Sequence, residues 1–337
     1  MGTTQITDHG IYGGQMLREA RLESAELSLS ILNFGAATRD LRYLVGGANR
    51  RLILGYKNPG EYIENPDYMG AFVGRVAGRI KNARFDLDGQ THQLNANEGG
   101  NQLHGGPSGL SHQFWHFESV DCTKIRLTHT SPDRANGYPG QAVVSILVAL
   151  TGNRVTYDVI AKVDRPTPIS LAQHNYYNLA GGGEPIWDHQ LQVDATGYLV
   201  LDDSNVPNGA IASLSGTRYD VSQPVRLDQL DPEYQGSDIA LCLRQCRDIH
   251  EPVAQLRASD GLTMSVWTNQ PVAQFYTASG MIKRSGGLHG QCLGPGMGVC
   301  FEPQGFPNAV NLANFPSVIA TSVQPYRQRL ELEFGWT

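Results

Sequence analysis

The sequence predicts an all-β protein, a large single-domain β-sandwich spanning residues 1–337. Three observations carry this reading. Charged residues make up only 17% of the 337 positions while 38 are Gly, and long helices with solvated faces need the opposite balance. Apolar residues recur with a period of two in segment after segment, the mark of a strand with one buried face. No comparable stretch keeps a helical period, and no Pro-rich linker, repeat or low-complexity segment interrupts the chain. Many half-apolar strands must bury their faces against one another, which two packed sheets achieve.

The elements follow in order. Residues 15–34 hold no Gly or Pro, and MLREARLESAE could begin as a helix, but Leu27, Leu29 and Ile31 alternate with Glu26, Ser28 and Ser30, so the stretch reads as strand. In FDLDGQTHQL, Asp88 and Gly89 separate two short runs. Both residues tolerate positive φ, which a tight hairpin requires. Ile125 and Leu127 alternate in KIRLTHT. Residues 143–150, VVSILVAL, are nearly all apolar and suit a strand buried on both faces. Val155, Tyr157, Val159, Ala161 and Val163 alternate across RVTYDVIAKV, and Leu330, Leu332 and Phe334 across RLELEFGW. One helical turn fits within residues 224–231. A division into two domains near residues 181–183 is the alternative to a single domain.

Several function classes drop out. The net charge of −6 leaves no electrostatic footprint for nucleic acid. The five cysteines form no CxxC pair and fit reduced, mostly buried thiols of a cytoplasmic protein. The N-terminus has no basic and apolar signal pattern, and no run approaches the roughly 18 apolar residues of a membrane span. There is no GxxxxGK[ST], and Gly294, Gly296 and Gly298 are misspaced for a dinucleotide fingerprint. His104-Gly105-Gly106 is like an esterase oxyanion loop, but no GxSxG supplies a nucleophile. His112 and His116 would lie roughly 13 Å apart on a strand, too far for one metal ion.

Three segments carry polar groups that strand packing does not require. NEGGNQLHGG presents Asn101 and His104 in a loop that its glycines allow to bend sharply. QHNYYNLAGGG packs a His, two Tyr and two Asn into six positions. In CFEPQGFPNAVN, Glu302 stands at a strand end between Phe301 and Pro303, where partial desolvation raises a carboxyl toward a useful general-base value. Each has a plainer reading: a turn histidine, a strand end whose amides satisfy backbone, a surface acid. The combination of imidazole, carboxylate, amides and aromatic faces in one chain is what an uncharged polyol needs. Spacing alone does not show that they converge.

From residue 27 to residue 336 the sequence resembles the aldose 1-epimerase (galactose mutarotase) family. The resemblance is carried by GAFVGRVAGRIKNARFDLDG, LNANEGGNQLHGGPSGLSHQFW, SPDRANGYPG, SLAQHNYYNLAGG, SVWTNQPVAQFYTAS and GVCFEPQGFPNAVN, in order. It implies a large β-sandwich of the galactose mutarotase-like type with a sugar in an open cleft. It also implies Glu302 as general base, His174 as general acid, and Arg79, His104, Asp238 and Gln274 as sugar-binding residues. The implied reaction, anomer interconversion of a free monosaccharide, needs no cofactor and no metal. No membrane or nucleic-acid partner follows, and a monomer or homodimer is expected.

Three positions depart from the family's pattern. Gly78 stands where Asn often precedes the arginine. Ala172-Gln173 precedes His174, with Tyr177 after it, and Ile239 follows the aspartate where His is frequent. With Gly78 and Ile239 on the rim, selection for a full hexose is weakened, and a pentose or 6-deoxyhexose should be used at least as well as galactose; the alternative is that Gln173 or Tyr177 supplies the missing contacts and galactose remains preferred. The rival functions are a glycoside hydrolase or lyase with two carboxylates, a non-catalytic sugar-binding module, and a hexose-phosphate epimerase, which would want an anion site beyond Arg75, Arg79 and Arg84.

Overall fold

The computed structural model describes residues 4–44 and 49–336. It contains three large antiparallel sheets. The first joins Gln5–Tyr12, Gln15–Glu23, Leu27–Leu32, Thr38–Tyr43 and Arg50–Arg51 in sequence order. The second has nine strands: His116–Asp121, Lys124–Ser131, Ala142–Thr151, Arg154–Val163, Tyr326–Trp336, Leu262–Thr268, Ala254–Arg257, Gln190–Val193 and Val225–Arg226. The third runs Pro207–Ser213, Ala195–Leu201, Asp238–Leu243, Val272–Tyr276, Cys300–Gln304. The fold is the expected all-β sandwich. The single α-helix among the described residues is Leu227–Leu230, inside the segment expected to hold one turn, and no helix among them is long and apolar enough to cross a membrane.

One core joins the sheets. Leu27, Leu29 and Ile31 of the first sheet, Ile125, Val155, Tyr157, Leu330 and Leu332 of the second, and Ile239, Leu241, Phe275 and Phe301 of the third belong to a single buried cluster. Each such side chain contributes roughly 1.5–3 kcal/mol when fully buried. That sets the register: a slip of one residue would turn Arg154, Thr156 and Asp158 inward in place of Val155, Tyr157 and Val159. The Asp88–Gly89 hairpin forms as read, with φ of 52° and 74° between Arg84–Leu87 and Gln90–Gln93.

Some local expectations are corrected. Residues 143–150 are not buried on both faces. In Ala142–Thr151 the even positions face the core while Val143 is 38% exposed. The outer apolar residues pair across strands with polar ones, Leu147 lying opposite Arg126 and Asp158. Conversely, Ser28, read as outward, is buried. His112 and His116 do not share one strand: His112 ends the 3₁₀ turn Leu110–His112 and His116 opens the strand His116–Asp121. All five cysteines are free, but Cys246 and Cys292 are exposed and only Cys242 and Cys300 are buried.

Candidate active site

The third sheet builds the floor of a cleft of about 310 Å³. Its register sets Ala240, Gln274 and Glu302 in one cross-strand row and Asp238, Tyr276 and Cys300 in the next. Because strand neighbours alternate, this polar face has an apolar reverse: Ile239, Phe275 and Phe301 point into the core. The other wall comes from short pairings earlier in the chain. Arg79–Ile80 pairs with Gln102–Leu103, which sets Arg79 beside His104. Ala172–Gln173 pairs with Phe72–Val73, and Tyr177 bridges to Val299, which draws His174 alongside Cys300 and Glu302. All six residues expected from the sequence, Arg79, His104, His174, Asp238, Gln274 and Glu302, line this one cleft.

Glu302 and His174 form the centre. Glu302 is 2% exposed and His174 4%, and Glu302 Oε1 lies 3.5 Å from His174 Nε2. Glu302 Oε2 is buried with no protein partner. Burial, reinforced by the nearby Asp238 charge, raises the Glu302 carboxyl well above its usual range. Burial also lowers the His174 imidazole to about 4. The same desolvation disfavours the charged form of each, so the resting pair is a carboxylic acid beside a neutral imidazole.

His104 is oriented by the backbone. Its Nδ1 accepts the Gly78 N–H at 3.2 Å, which leaves the proton on Nε2 as a donor. Burial, with His174 and Arg79 nearby, holds its pKa well below the ordinary value. The next residue must be glycine: Gly105 has a φ of +86°, and a Cβ there would lie 1.9 Å from the Gly74 carbonyl oxygen. Asp238 Oδ1 accepts from Gln274 Nε2 at 2.5 Å. Burial raises the Asp238 carboxyl, while Arg79 and Gln274 oppose the shift.

Sequence reasoning missed several cleft residues. Gln304 lines the cleft with a buried, unpartnered Oε1, and Tyr276 lies one cross-strand row from Gln274. Period two along their strands, counted from Glu302 and Gln274, would have found both. Tyr68 packs against His104, His112 and His174 with centroids at 4.7, 5.8 and 5.9 Å. Tyr176 lies 5.1 Å from the His174 ring. Glu98 pairs with Arg79. No sequence signal marks these last contacts, because they are spatial.

Other polar residues of the three segments are structural. Asn101 caps the Asn82 N–H, and Asn178 donates to the Glu184 and Met297 carbonyls. Two of the three departures leave the rim. Ile239 is a core residue on the reverse face of the sheet. Gln173 is buried and bonds Gly70 O and the Asn175 N–H, and Tyr177 is fully buried behind the cleft. Only Gly78 lines it, with a φ of +72° and Pro307 2.9 Å from where a Cβ would stand.

His174, Cys300 and Glu302 each offer one donor atom within 4.8 Å of the others. A zinc tetrahedron has edges of about 3.5 Å. Cys300 Sγ lies on the Nδ1 side of the imidazole at 3.6 Å, whereas Glu302 lies on the Nε2 side. One ion on one ring nitrogen would therefore reach both other donors only after the ring turned.

The family model described as Aldose 1-epimerase matches residues 18–333. The galactose mutarotase of Sus scrofa is 33% identical over 318 residues, 93% of each chain. The aldose 1-epimerase of Escherichia coli K12 is 29% identical over 316 residues, 90% of each. Among solved structures, the GalM/aldose epimerase homologue from C. elegans superposes with a TM-score of 0.88 at 26% identity, covering 95% of this chain and 99% of that one. The galactose 1-epimerase of Lactobacillus acidophilus NCFM gives 0.85 at 26% identity, covering 99% and 98%.

Proposed function

The chain belongs to the aldose 1-epimerase family, and from that membership we propose how its residues interconvert the α and β anomers of a free aldose. The one proton of the pair passes from Glu302 Oε1 to His174 Nε2 across their 3.5 Å contact, and the carboxylate so formed takes the proton from the C1 hydroxyl as the imidazolium gives its own to the ring oxygen. The C1–O bond to the ring breaks and an aldehyde forms. After rotation about C1–C2 the ring closes on the other face, with His174 now taking a proton from the attacking hydroxyl and Glu302 returning one to O1. A positioned acid and base each contribute typically about 10²–10⁴-fold. Arg79, His104 Nε2–H, Asp238 and Gln274 hold the remaining oxygens, so that motion is confined to C1.

The observation that carries this reading is the buried Glu302–His174 pair at 3.5 Å on the cleft wall, with the second carboxyl oxygen buried and unpartnered. A hydrolase reading would need Asp238 as a second working carboxylate, but that group is engaged by Gln274. A pure binding module would have no use for an acid beside a base.

The pair works with one transferable proton, which predicts the pH dependence. Below about 4, where His174 also holds a proton, Glu302 is still an acid and there is no base. Above the raised Glu302 value, the carboxylate faces a neutral imidazole and there is no acid. The acid limb of the kcat/KM profile, which reports the free enzyme, therefore lies near 4. An acid limb at the ordinary histidine value would contradict the assignment.

Of the two grounds for a pentose or 6-deoxyhexose, Gly78 lines the cleft but Ile239 belongs to the core. We therefore take a hexose of the galactose type as substrate, supported by relatives named galactose mutarotase. Polarimetry on fresh α-anomers of galactose, L-arabinose, D-xylose and L-fucose tests both levels. Galactose should give the highest kcat/KM. A higher value for any of the other three removes the substrate assignment, and no catalysis of any aldose removes the residue roles. A cytoplasmic monomer or homodimer of one domain goes with this reading. It is supported by the free thiols and by a nine-stranded sheet that draws strands from both sides of residues 181–183.

A further inference from the structure

Arg79 does not meet the cleft as a free cation. Its Nε donates to Glu98 Oε2 at 2.6 Å and its Nη2 to Glu98 Oε1 at 2.8 Å, the two-pronged geometry that matches a guanidinium to a carboxylate. This leaves Nη1 and one Nη2 hydrogen for other acceptors. Among the described residues lining the cleft, Arg79 is the one guanidinium or ammonium group. The acids around it are more numerous. Glu98 and Asp238 flank it, and Asp67, on the cleft wall, is held by Arg284. Both cleft histidines are held neutral by burial.

We propose that Glu98 is a specificity-determining residue: by occupying two donors of Arg79 and cancelling its charge, it keeps sugars that carry a carboxylate or phosphate out of the cleft. The inference deepens the mutarotase reading and rests on it. Arg79 remains a donor for neutral hydroxyls, since its free hydrogens need only an oxygen lone pair. An anionic sugar meets a wall whose one positive charge is spent and whose remaining charges are negative. The pair is ill suited to a purely structural role. The Glu98 side chain is 38% exposed, and an ion pair that open to water adds little stability. The loop that presents it is closed without its carboxylate. The Asn101 N–H donates to the Glu98 carbonyl at 3.0 Å, and the Asn97 side chain bonds both the N–H and the carbonyl of Leu103.

The test compares the parent protein with Glu98→Gln and Glu98→Ala. The kcat/KM for anomerisation is measured on galactose, galacturonate and galactose 6-phosphate by NMR exchange between anomers. The ratio of anionic to neutral sugar should rise by about 10- to 100-fold in both variants, the scale of one charge removed within a few ångströms of another in a part-buried site. The rise should shrink as salt is added. A rise with only one of the two anions supports the proposal and tells which group the freed guanidinium reaches. An unchanged ratio in Glu98→Gln, which keeps the side-chain shape, overturns it even if Glu98→Ala fails to fold. A parent protein inert toward every neutral aldose would instead overturn the mutarotase roles, and this inference with them.

Discussion

Glu302→Gln should abolish anomerisation, lowering kcat by about 10³-fold or more, while sugar binding changes only a few-fold. The amide keeps the volume of the protonated carboxyl and cannot take a proton. Two measurements separate this from simple damage. Galactose should still raise the melting temperature of the variant, as a ligand of the native state does. The variant should also be the more stable protein near pH 8. A carboxyl raised above its unfolded value opposes folding once pH exceeds about 4.5, because the unfolded chain can ionise it freely and the folded chain cannot. The advantage of the Gln variant should therefore vanish near pH 4 and grow as pH rises. A variant retaining a tenth of the parent's rate would exclude Glu302 as the base.

His174→Asn should be nearly as inactive, with a loss of about 10²–10⁴-fold in kcat and a modest change in KM. His104→Asn should lose far less turnover, about tenfold, and more of its effect should appear in KM. The difference follows from what each ring touches. His174 Nε2 faces Glu302 across 3.5 Å, whereas His104 is fixed by the Gly78 N–H and offers a single N–H donor. Losing one neutral hydrogen bond to a substrate costs about 0.5–1.5 kcal/mol, which is about a tenfold effect at most. Equal losses of kcat in the two variants would undo the division between proton transfer and orientation.

The strands were legible because burial on one face imposes a period of two, and the alternation of Val155 through Val163 is reproduced residue by residue in the structure. It failed where both faces of a strand carry apolar residues. The composition of residues 143–150 does not reveal that the outward ones lie beside Arg126 and Asp158. The candidate site was legible through family resemblance rather than through spacing. Adjacent strand residues face opposite ways, so Ile239 could not share the cleft with Asp238, whereas Gln304 had to share a face with Glu302. The Glu98–Arg79 contact had no such trace, because it joins a loop to a two-residue strand.

The two walls of the cleft come from distant parts of the chain. His174 meets Cys300 across a separation of 126 residues. Closing a chain excursion of that length carries an entropic cost of about 4 kcal/mol from its length alone, offset only when the sheets are packed. The proton-transfer pair therefore cannot pre-exist in a partly folded fragment. During synthesis the chain stays silent toward sugar until the strand bearing Glu302 has left the ribosome and docked. During refolding, optical rotation of the substrate reports a late, long-range event, whereas backbone circular dichroism also registers local hairpins such as that at Asp88–Gly89.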